Sequence, residues 1–473
     1  MTKNFRKNIL LINPRVIRYR SYPSVALASI GSYLRSNGCN VRIVDSNFTN
    51  EDPYRVLAKT NGEYLVGISC ESKNIEEALK IAVYAKEKQN IVVMGGLHVS
   101  LAKEKILDNI CVDYGIYGDG ELSLLKLIEA LDEGLPLEDV PGLIYKFTGQ
   151  IKVNEKGQAA NLDELPFPDY KLAGINRISQ YPLITSRDCP YKCTYCTVGA
   201  ISHGSWRIRS PKNVIAELKY AKETYNIKSF IIFDENFSHD MERVKMFCLM
   251  LLKENLILPW AVIEGMRADK VDREFLRLLK VSGCKDIIYG VESADEKVFE
   301  NISKGGKFLT IEKAIDLAKD EGLEVGAYFV IGLPGATFES EMKSIEFATK
   351  HNLSPCVFWM AIPYYNTQLY EWVLKNAKLL REPTGENLVN SLSTEPFFET
   401  EIFPKDKVKK AFVMAQLSIG NYSFYEDHDG KKISKIFRFL LVCLYMLRYD
   451  LCSLWSFLAS GRRLKQESFA YGK

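Results

Sequence analysis

Short apolar segments alternate with amphipathic stretches along most of this 473-residue chain, and that alternation restricts the fold more than any single motif. From residue 8 onward, five segments have the length and composition of strands: NILLINP, CNVRIVDS, YLVGISCES, IVVMGG and VDYGIYGDGE. Two stretches with helical periodicity lie among them, VALASIGSYLRSNG and NIEEALKIAVYAKEKQN. Strands separated by such helices predict a parallel sheet with helices on both faces. We therefore expect residues 1–135 to form a doubly wound, Rossmann-like α/β domain.

The same alternation returns after residue 180. Six strand-like segments occur there, namely YPLIT, SFIIF, WAVIEGM, KDIIYG, EVGAYFVIG and SPCVFWMAI. They predict a partial (β/α)6 barrel of the TIM type over residues 181–372. Residues 136–180 contain a hairpin pattern around Thr148-Gly149 and then LDELPFPDY, so we expect a linker there. Residues 373–473 are predicted to be a helical C-terminal region.

The ends of the first set of strands indicate a ligand groove. Ligands of parallel sheets bind at the carboxyl ends of the strands, and here those ends carry Ser69, Gly95 and Gly96. A single glycine pair often serves only to turn the chain, but two glycine-bearing strand ends, at Gly95-Gly96 and Gly118-Asp119-Gly120, together with the serine-rich end at Ser69 favour a groove. No G-x-G-x-x-G follows the first strand, which disfavours a nicotinamide dinucleotide.

Three cysteines lie within eight residues in TSRDCPYKCTYC: Cys189, Cys193 and Cys196. A zinc site normally has four ligands, and no C-x-x-C or H-x3-5-H pair follows to complete one. Three structural cysteines would not need polar neighbours such as Asp188 and Lys192. An iron–sulfur cluster explains the spacing better, because cysteine thiolates are its ordinary ligands. With three thiolates for four irons, one iron stays open, which predicts a reaction site.

The C-x3-C-x2-C spacing, with Tyr195 between the last two cysteines, resembles the signature of the radical S-adenosylmethionine (radical SAM) superfamily. The segments VGISCES, VVMGGLHVS and DYGIYGDGE resemble the cobalamin-binding domain that precedes many of these enzymes. Together the two resemblances cover residues 8–372. They imply three cofactors, which are a [4Fe-4S] cluster on the three cysteines, S-adenosyl-L-methionine, and cobalamin beside Ser69, Gly95 and Gly96.

Polar residues at the predicted barrel-strand ends complete the implied S-adenosylmethionine site, since barrel enzymes place their chemistry there. The residues that the resemblance assigns to this cofactor are Tyr195, Glu235, Arg267, Glu292, Ser293 and Gly332. Two alternatives remain open from the residues themselves. Asp234 could cap the next helix, and Arg267 could pair with Asp269 or Asp272. The segment SWRIRSP, with Arg207 and Arg209, also recurs in cobalamin-type members and could dock the domains.

The sequence departs from the corrinoid-protein pattern in one respect, because it has no D-x-H-x-x-G histidine to bind cobalt from below. His98, in GGLHVS, is expected to be a loop residue near the groove. Arginines of NPRVIRYRSYPS are expected to lie beneath the corrin instead, these being Arg15, Arg18 and Arg20.

Composition and charge limit the partners. A formal net charge of +3 gives no electrostatic case for nucleic acid. Most of the eleven cysteines are scattered singly, and no signal peptide is evident, which predicts a reducing, cytoplasmic location. The apolar segment 433–460 lacks the ~20 uninterrupted residues of a membrane span, but it allows peripheral membrane contact. It also weakly favours a lipid-like small-molecule substrate.

Three functions remain open at this stage. By resemblance, the first is a class B (cobalamin-dependent) methyltransferase, in which one S-adenosylmethionine methylates cobalamin and a second yields a 5′-deoxyadenosyl radical that activates an unactivated carbon. The second is a radical cyclase or oxidase that uses cobalamin without methyl transfer. The third is a non-catalytic carrier, which the open-site cysteine trio argues against. A reductant such as flavodoxin or ferredoxin is implied for either enzyme.

Overall fold

The computed structural model describes residues 5–15, 22–202, 206–389 and 395–419, which form two sheets with their helices and a C-terminal extension. The first sheet has the order β2-β1-β3-β4-β5-β6-β7. Its strands are β1 Ile9–Asn13, β2 Val41–Asp45, β3 Leu65–Ser69, β4 Ile91–Gly95, β5 Tyr114–Ile116, β6 Leu143–Phe147 and β7 Gln150–Val153. Its helices are α1 Val25–Ser36, α2 Pro53–Leu57, α3 Ile75–Glu87, α4 Leu97–Ala102 and α5 Gly120–Glu133.

Strands β1 to β5 pair in parallel, and each face of their sheet carries its own hydrophobic core. On one face Leu34 of α1 and Leu127 of α5 belong to a cluster that includes Leu11. On the other face Ile81 of α3 belongs to a cluster that includes Val66. Side chains of one strand point alternately to the two faces, so helices on both sides bury the apolar surface of the whole sheet. The predicted doubly wound α/β fold is confirmed.

The hairpin predicted within residues 136–180 belongs to this first sheet. Strand β6 pairs antiparallel with β5, opposing Ile144 to Gly115, and β7 pairs antiparallel with β6. Ile144 and Tyr145 are almost completely buried, and they extend the cores on the two opposite faces of the sheet. The first sheet therefore continues to Val153, while the domain boundary at residue 135 stays a prediction.

The second sheet has six parallel strands in the order β15-β14-β13-β12-β11-β8, as the strand pattern predicted for a partial barrel. These are β8 Gln180–Leu183, β11 Ser229–Ile232, β12 Trp260–Met266, β13 Cys284–Glu292, β14 Glu324–Ile331 and β15 Cys356–Met360. A two-stranded ribbon precedes the second barrel strand, formed by β9 Ser186–Arg187 and β10 Arg207–Ile208. The intervening helices are α6 Val198–Ile201, α7 Pro211–Tyr225, α8 Met241–Lys253, α9 Arg273–Val281, α10 Glu296–Asn301, α11 Phe308–Asp320 and α12 Phe338–Lys350.

Local capping fixes where the barrel helices begin. Helix α7 starts with Pro211 in its first turn, and the Ser210 side chain accepts a hydrogen bond from the backbone N–H of Asn213. Helix α12 starts with a capping box in which Thr337 and Ser340 satisfy each other's backbone N–H groups. These caps mark the points at which the loops from the carboxyl edge of the sheet enter the helices. Those loops form the rim of the barrel, which carries the candidate site.

The C-terminal extension begins after the last barrel strand. Its elements are α13 Gln368–Asn376, β16 Lys378–Leu379, α14 Glu386–Val389, β17 Phe398–Glu399 and α15 Lys405–Ser418. Helix α15 packs against the barrel, where the buried Gln416 side chain donates a hydrogen bond to the carbonyl of Phe358. The short β16–β17 pair adds strand structure to a region that the sequence predicted as helical.

The proposed membrane-contact segment, residues 433–460, lies outside the described residues. Among the helices that the structure does describe, none combines the length and apolar composition needed to cross a bilayer.

Candidate active site

The three cysteines lie on one loop between β9 and α6, at the carboxyl end of β8. All three are partly exposed. The backbone N–H of Cys196 donates to the carbonyl of Cys193 at 3.1 Å, and the Asn236 side chain lies 3.5 Å from the Cys189 sulfur. The loop begins at Asp188, whose φ of 68° is in the left-handed region that non-glycine residues seldom adopt. Three accessible thiols on a fixed loop are a donor set suited to an iron–sulfur cluster.

The surroundings of Cys193 and Cys196 favour the protonated form of these two thiols in the absence of metal. Burial raises the pKa of Cys193 to about 11, while Lys304 opposes that rise. Burial also raises the pKa of Cys196. Cluster assembly here must therefore displace protons, as thiolate ligation generally does. Across the described residues, no three His, Cys, Asp or Glu side chains are placed to bind a single metal ion. In a [4Fe-4S] cluster each of the three cysteines binds a different iron. The absence of such a group of side chains therefore applies only to sites for a single metal ion.

Glu292 and Lys304 form a buried ion pair beside the cysteine loop. Their side chains lie 2.5 Å apart, and the Lys304 ammonium also donates to the carbonyl of Gly290. Glu292 has a φ of 67°, again in the left-handed region. The negative charge of Glu292 raises the pKa of Cys193, Tyr195 and Cys196. Glu292 therefore lies close to the cysteine loop and to Tyr195, as predicted. The sequence analysis missed Lys304; the only signal was its position in the glycine-containing loop SKGGK.

Arg267 is held in place by protein groups. Its Nε and Nη2 atoms donate to the Asp269 carboxylate at 2.9 and 2.8 Å, and Nη1 donates to the carbonyl of Lys304 at 2.5 Å. Its guanidinium carbon lies 3.7 Å from the centre of the Tyr191 ring. The alternative pairing with Asp269 is therefore the one that the structure shows. The same contacts position Arg267 against the cysteine loop, because Tyr191 lies between Cys189 and Cys193.

Asp234 is completely buried and has a structural role. Its carboxylate accepts hydrogen bonds from the backbone N–H and hydroxyl of Thr185, at 2.6 and 2.5 Å, and from the hydroxyl of Ser186 at 2.7 Å. Arg243 lies 3.8 Å away. Asp234 thus anchors the chain between β8 and the cysteine loop, and it does not cap a helix as the sequence allowed.

Ser293 and Gly332 directly follow the ends of β13 and β14, and each forms a hydrogen bond with a nearby protein group. The buried Ser293 hydroxyl accepts a hydrogen bond from the backbone N–H of Asp295 at 3.2 Å. The N–H of Gly332 donates to the buried Glu341 carboxyl at 3.0 Å. Burial raises the pKa of Glu341 to about 8. Gly332 is buried, has a φ of 86° and lines a small pocket beside Phe397 and Phe398.

A large cleft separates the first sheet from the barrel. It measures about 1300 Å³, counting the part open to solvent, and is lined mainly by small and apolar residues. Ser69, Gly95 and Gly96 line it, so the structure brings these three predicted residues together. A Cβ on Gly96 would lie 2.8 Å from the carbonyl oxygen of Cys70, and its φ is 99°. Glycine is therefore required here for the backbone to approach Cys70 closely, and the cleft beside it has room for a broad ligand such as a corrin.

The barrel contributes the opposite wall of this cleft. Glu235, Arg187 and Asp188 line it, and Cys189 follows directly in the chain. The Glu235 side chain is accessible within the cleft but surrounded by protein. Burial and the nearby Asp234 and Asp188 carboxylates raise the pKa of Glu235 to about 7. Glu235 was predicted to bind S-adenosylmethionine, and its position at this wall puts it between the cleft and the cysteine loop.

Ion pairs join the two domains at the cleft. Arg207 on β10 contacts Asp119 of the first domain at 2.5 Å and Asp188 at 2.7 Å. Arg187 contacts the buried Glu121 of α5 at 2.7 Å. Arg209 instead donates to Asn213 of its own segment, at 2.8 Å from Nε. Of the two arginines in SWRIRSP, Arg207 is therefore the one that docks the domains.

His98 is buried on helix α4, which corrects the expectation of a loop residue at the groove. Its Nδ1 lies 3.0 Å from the Ser72 hydroxyl, and burial lowers its pKa to about 4. The side chain is absent from the described lining of the cleft, although its neighbours Leu97 and Ser100 contribute to that lining. Arg15 is exposed. Arg18 and Arg20 lie outside the described residues.

A further, mostly apolar pocket is lined in part by Tyr195 of the cysteine loop. It measures about 810 Å³, counting the part open to solvent, and was not predicted from the sequence. Its lining residues come from the first domain, the cysteine loop, the last two barrel strands and the extension; they include Lys73, Tyr195, Val330, Trp359, Ile362 and Tyr364.

Comparisons with known proteins agree with this architecture. Residues 183–348 match the Radical SAM superfamily, and residues 18–128 match the B12 binding domain. An uncharacterized methyltransferase of Pyrococcus horikoshii is 29% identical over 84% of this chain and 87% of its own. Cytidylyl-2-hydroxyethylphosphonate methyltransferase of Streptomyces wedmorensis is 25% identical over 78% of this chain and 82% of its own. Anaerobic magnesium-protoporphyrin IX monomethyl ester cyclase of Rubrivivax gelatinosus is 25% identical over 74% and 66%.

Solved structures share the whole arrangement of domains. The radical S-adenosylmethionine methyltransferase TsrM from Kitasatospora setae superposes with a TM-score of 0.69 at 17% identity, covering 90% of each chain. The cobalamin-dependent S-adenosylmethionine radical enzyme OxsB superposes with a TM-score of 0.67 at 19% identity, covering 95% of this chain and 72% of its own. These likenesses show the fold.

The two domain matches, the cysteine loop and the glycine-lined cleft together identify the chain. Its cofactors are a [4Fe-4S] cluster, S-adenosyl-L-methionine and cobalamin. The chain belongs to the radical S-adenosylmethionine enzymes that carry a cobalamin-binding domain.

Proposed function

We propose that this enzyme is a class B radical methyltransferase that methylates an unactivated carbon of a small-molecule substrate. The observation that carries the proposal is the wall shared by the cleft and the cysteine loop, where Arg187 and Asp188 line the cleft and Cys189 follows. A methyl donor in the cleft and a radical generated at the loop would then act on one substrate. The two most similar relatives given above are both named as methyltransferases.

The residues of this chain have separate tasks in the proposal. Cys189, Cys193 and Cys196 hold the cluster, and the Glu292–Lys304 pair and Arg267 position S-adenosylmethionine at the open iron. Ser69, Gly95 and Gly96 leave room for cobalamin. When bound, these cofactors supply a 5′-deoxyadenosyl radical and a transferable methyl group. Reduction of the cluster needs an external electron donor, for which we propose a flavodoxin or ferredoxin in a reducing, cytoplasmic compartment.

Isotope labelling tests the reaction class. Anaerobically reconstituted, cobalamin-loaded enzyme would be reduced and incubated with trideuteromethyl S-adenosylmethionine and a metabolite and lipid extract of the source organism. We expect one extract component to gain a single trideuteromethyl group, with formation of both S-adenosylhomocysteine and 5′-deoxyadenosine. The triple cysteine-to-alanine variant is the matched control and should give neither the labelled product nor 5′-deoxyadenosine.

A second function is supported by the relationship to the magnesium-protoporphyrin cyclase, which covers 74% of this chain. A radical cyclase or oxidase would use the same cofactors without transferring the methyl group. The labelling experiment separates the two reactions. A product that has lost hydrogen and carries no deuterium would replace the methyltransferase proposal with this one.

A further inference from the structure

Asn236 places a buried amide beside the cysteine loop. It lies in the turn that follows β11 and is only 1% exposed. Its Nδ2 atom donates to the Sγ atom of Cys189 at 3.5 Å, an ordinary separation for a sulfur acceptor because sulfur has a larger radius than oxygen. Its Oδ1 atom is buried and accepts no hydrogen bond from the residues that the structure describes. Within the described part of the chain, the partner of this amide is therefore a cysteine of the cluster loop.

The turn that carries Asn236 is fixed on both sides. Before it, the buried Asp234 carboxylate accepts hydrogen bonds from the backbone N–H and the hydroxyl of Thr185. After it, the completely buried Ser238 hydroxyl accepts a hydrogen bond from the backbone N–H of Arg267 at 3.2 Å. These contacts join the turn to the ends of β8 and β12. The orientation of the Asn236 amide toward the cysteine loop is therefore set by the barrel itself.

The Oδ1 atom of Asn236 argues against a purely structural role for this side chain. A buried oxygen that receives no hydrogen bond is unfavourable, and an apolar side chain of similar shape would avoid that penalty. The amide has its described contact at the other end, where Nδ2 meets a metal-binding type of sulfur. The role of the amide is therefore to be sought at the sulfur of Cys189.

A hydrogen bond to a cysteine that binds an iron–sulfur cluster acts on the reduction potential of the cluster. A thiolate sulfur can only accept, so the amide nitrogen, and not the oxygen, faces it. The N–H group places partial positive charge beside the sulfur, and reduction adds one negative charge to the cluster. The N–H dipole therefore stabilises the reduced form more than the oxidised form, and most strongly where the donor is shielded from water.

We infer that Asn236 raises the reduction potential of the [4Fe-4S] cluster through its hydrogen bond to Cys189. The cluster is then easier to reduce by a flavodoxin or ferredoxin, which loses the one electron that the cluster gains, and no covalent bond forms or breaks. Asn236 acts through a ligand and is a positioning residue. The inference rests on the proposed function in one respect, which is the assignment of Cys189 as a cluster ligand.

Redox titration of the reconstituted, cobalamin-loaded enzyme tests the inference, with the electron paramagnetic resonance signal of the reduced cluster as the readout. Asn236→Leu keeps the branched shape of the side chain but removes the donor. We expect its cluster reduction equilibrium to become about tenfold less favourable, which for one electron is a potential about 59 mV lower. Asn236→Ala should shift the potential in the same direction. Iron and cobalamin contents should remain those of the wild type.

Asn90→Leu is the matched control. Asn90 is also completely buried, but both ends of its amide have protein partners in the first domain. Its Oδ1 accepts from the backbone N–H of Tyr64 at 3.3 Å, and its Nδ2 donates to the Thr60 hydroxyl at 2.7 Å. Asn90→Leu should therefore lower the melting temperature and leave the potential unchanged. Asn236→Leu should instead lower the potential with little change in the melting temperature.

The inference is overturned if Asn236→Leu, at wild-type iron content, has the wild-type potential, or if Asn90→Leu shifts the potential equally. Loss of iron from both Asn236 variants also overturns it, because the amide would then be needed to retain the cluster and not to set its potential. Failure of the proposed function is separate from these results. It would be an absence of transferred deuterated methyl in the labelling experiment, while iron retained by the triple cysteine-to-alanine variant would refute the ligand assignment.

Discussion

The glycine-lined cleft of the first domain and the charged rim of the barrel differ in the side chains that form them. At the cleft, Ser69, Gly95 and Gly96 contribute little beyond backbone and open space. At the rim, Glu292 and Arg267 are charged, and each already has a protein partner, Lys304 or Asp269. The first-domain wall of the cleft therefore offers space and backbone, whereas the barrel rim offers charged groups.

This difference has an energetic basis. A large, rigid ligand needs a wall of small residues, because any added side-chain atom overlaps it. Charged groups cannot stay buried and unpaired before a ligand arrives, so the rim keeps them neutralised in pairs. Substitutions in the two regions should then fail in different ways, by overfilling in the cleft and by loss of ligands or charge at the rim.

The largest effect is expected for replacement of Cys189, Cys193 and Cys196 together by alanine. The protein should lose its bound iron and sulfide, which number about four of each in a cubane cluster. Reductive cleavage of S-adenosylmethionine to 5′-deoxyadenosine should disappear with them. The controls Cys248→Ala and Cys284→Ala change cysteines that are buried in the barrel core, and should retain iron. Cleavage that survives the triple change would refute the assignment, and loss of iron in a control would mean that other cysteines are ligands.

The next largest effect is expected when a bulky side chain is introduced into the cleft. Gly95→Phe should lower bound cobalamin by about tenfold or more, because the ring would occupy ligand space. Gly95→Ala is the matched control, since a Cβ there would meet the Ile116 carbonyl oxygen at 3.5 Å, an ordinary contact. Cobalamin absorbance and iron content per protein would be measured. Unchanged cobalamin in Gly95→Phe, or a parallel loss of iron, would contradict the separate roles of the two regions.

At the rim, Arg267→Ala and Glu292→Ala should each weaken S-adenosylmethionine binding by about tenfold to a hundredfold, the usual contribution of a hydrogen bond to a charged group. Equilibrium dialysis of the reconstituted protein measures this, and iron content should remain that of the wild type. If both variants bind S-adenosylmethionine normally, the site lies elsewhere on the rim.

Substitutions in the ion pairs between the two domains should have a smaller effect. Arg207→Ala removes a partner from Asp119 and Asp188 at partly buried positions, and should cost about 2 kcal/mol of stability. Arg273→Ala breaks similar contacts to Asp320 and Glu321, but the arginine is 56% exposed, so its loss should destabilise the protein less than the loss of Arg207. Thermal unfolding of the two variants gives the comparison. Equal melting temperatures would show that Arg207 does not hold the domains together.

For the last substitution we expect no effect on cobalt coordination. His98→Ala should leave the electron paramagnetic resonance spectrum of the cob(II) state unchanged, without nitrogen superhyperfine splitting in either protein. The reason is that the His98 ring is buried on α4 with its Nδ1 at Ser72. A nitrogen splitting in the wild type that vanishes in the variant would place this histidine on cobalt and overturn the prediction.

Sequence patterns predicted the features that depend on neighbouring residues. The alternation of strands and helices is local, as is the spacing of Cys189, Cys193 and Cys196, and the structure agrees with both. Ser69, Gly95 and Gly96 were found because the carboxyl ends of adjacent parallel strands meet at one edge.

What the sequence did not predict are the partners of charged groups. Arg207 lies 88 residues from Asp119, and Lys304 lies 12 residues from Glu292 across a helix and a loop. No local periodicity specifies such pairs, because they depend on how whole domains pack. For the same reason the sequence allowed Asp234 to cap a helix, although its carboxylate accepts its hydrogen bonds from Thr185 and Ser186.

The β6–β7 hairpin has a consequence for how the chain behaves in solution. Strand β5 is only three residues long, and without the hairpin its outer edge would offer unpaired N–H and C=O groups to other chains. The outermost strand is instead β7, where exposed Gln150 and Lys152 alternate with partly covered residues. A charged edge of this kind discourages strand addition between molecules. Residues that touch neither cofactor site thus protect the cobalamin domain from aggregation.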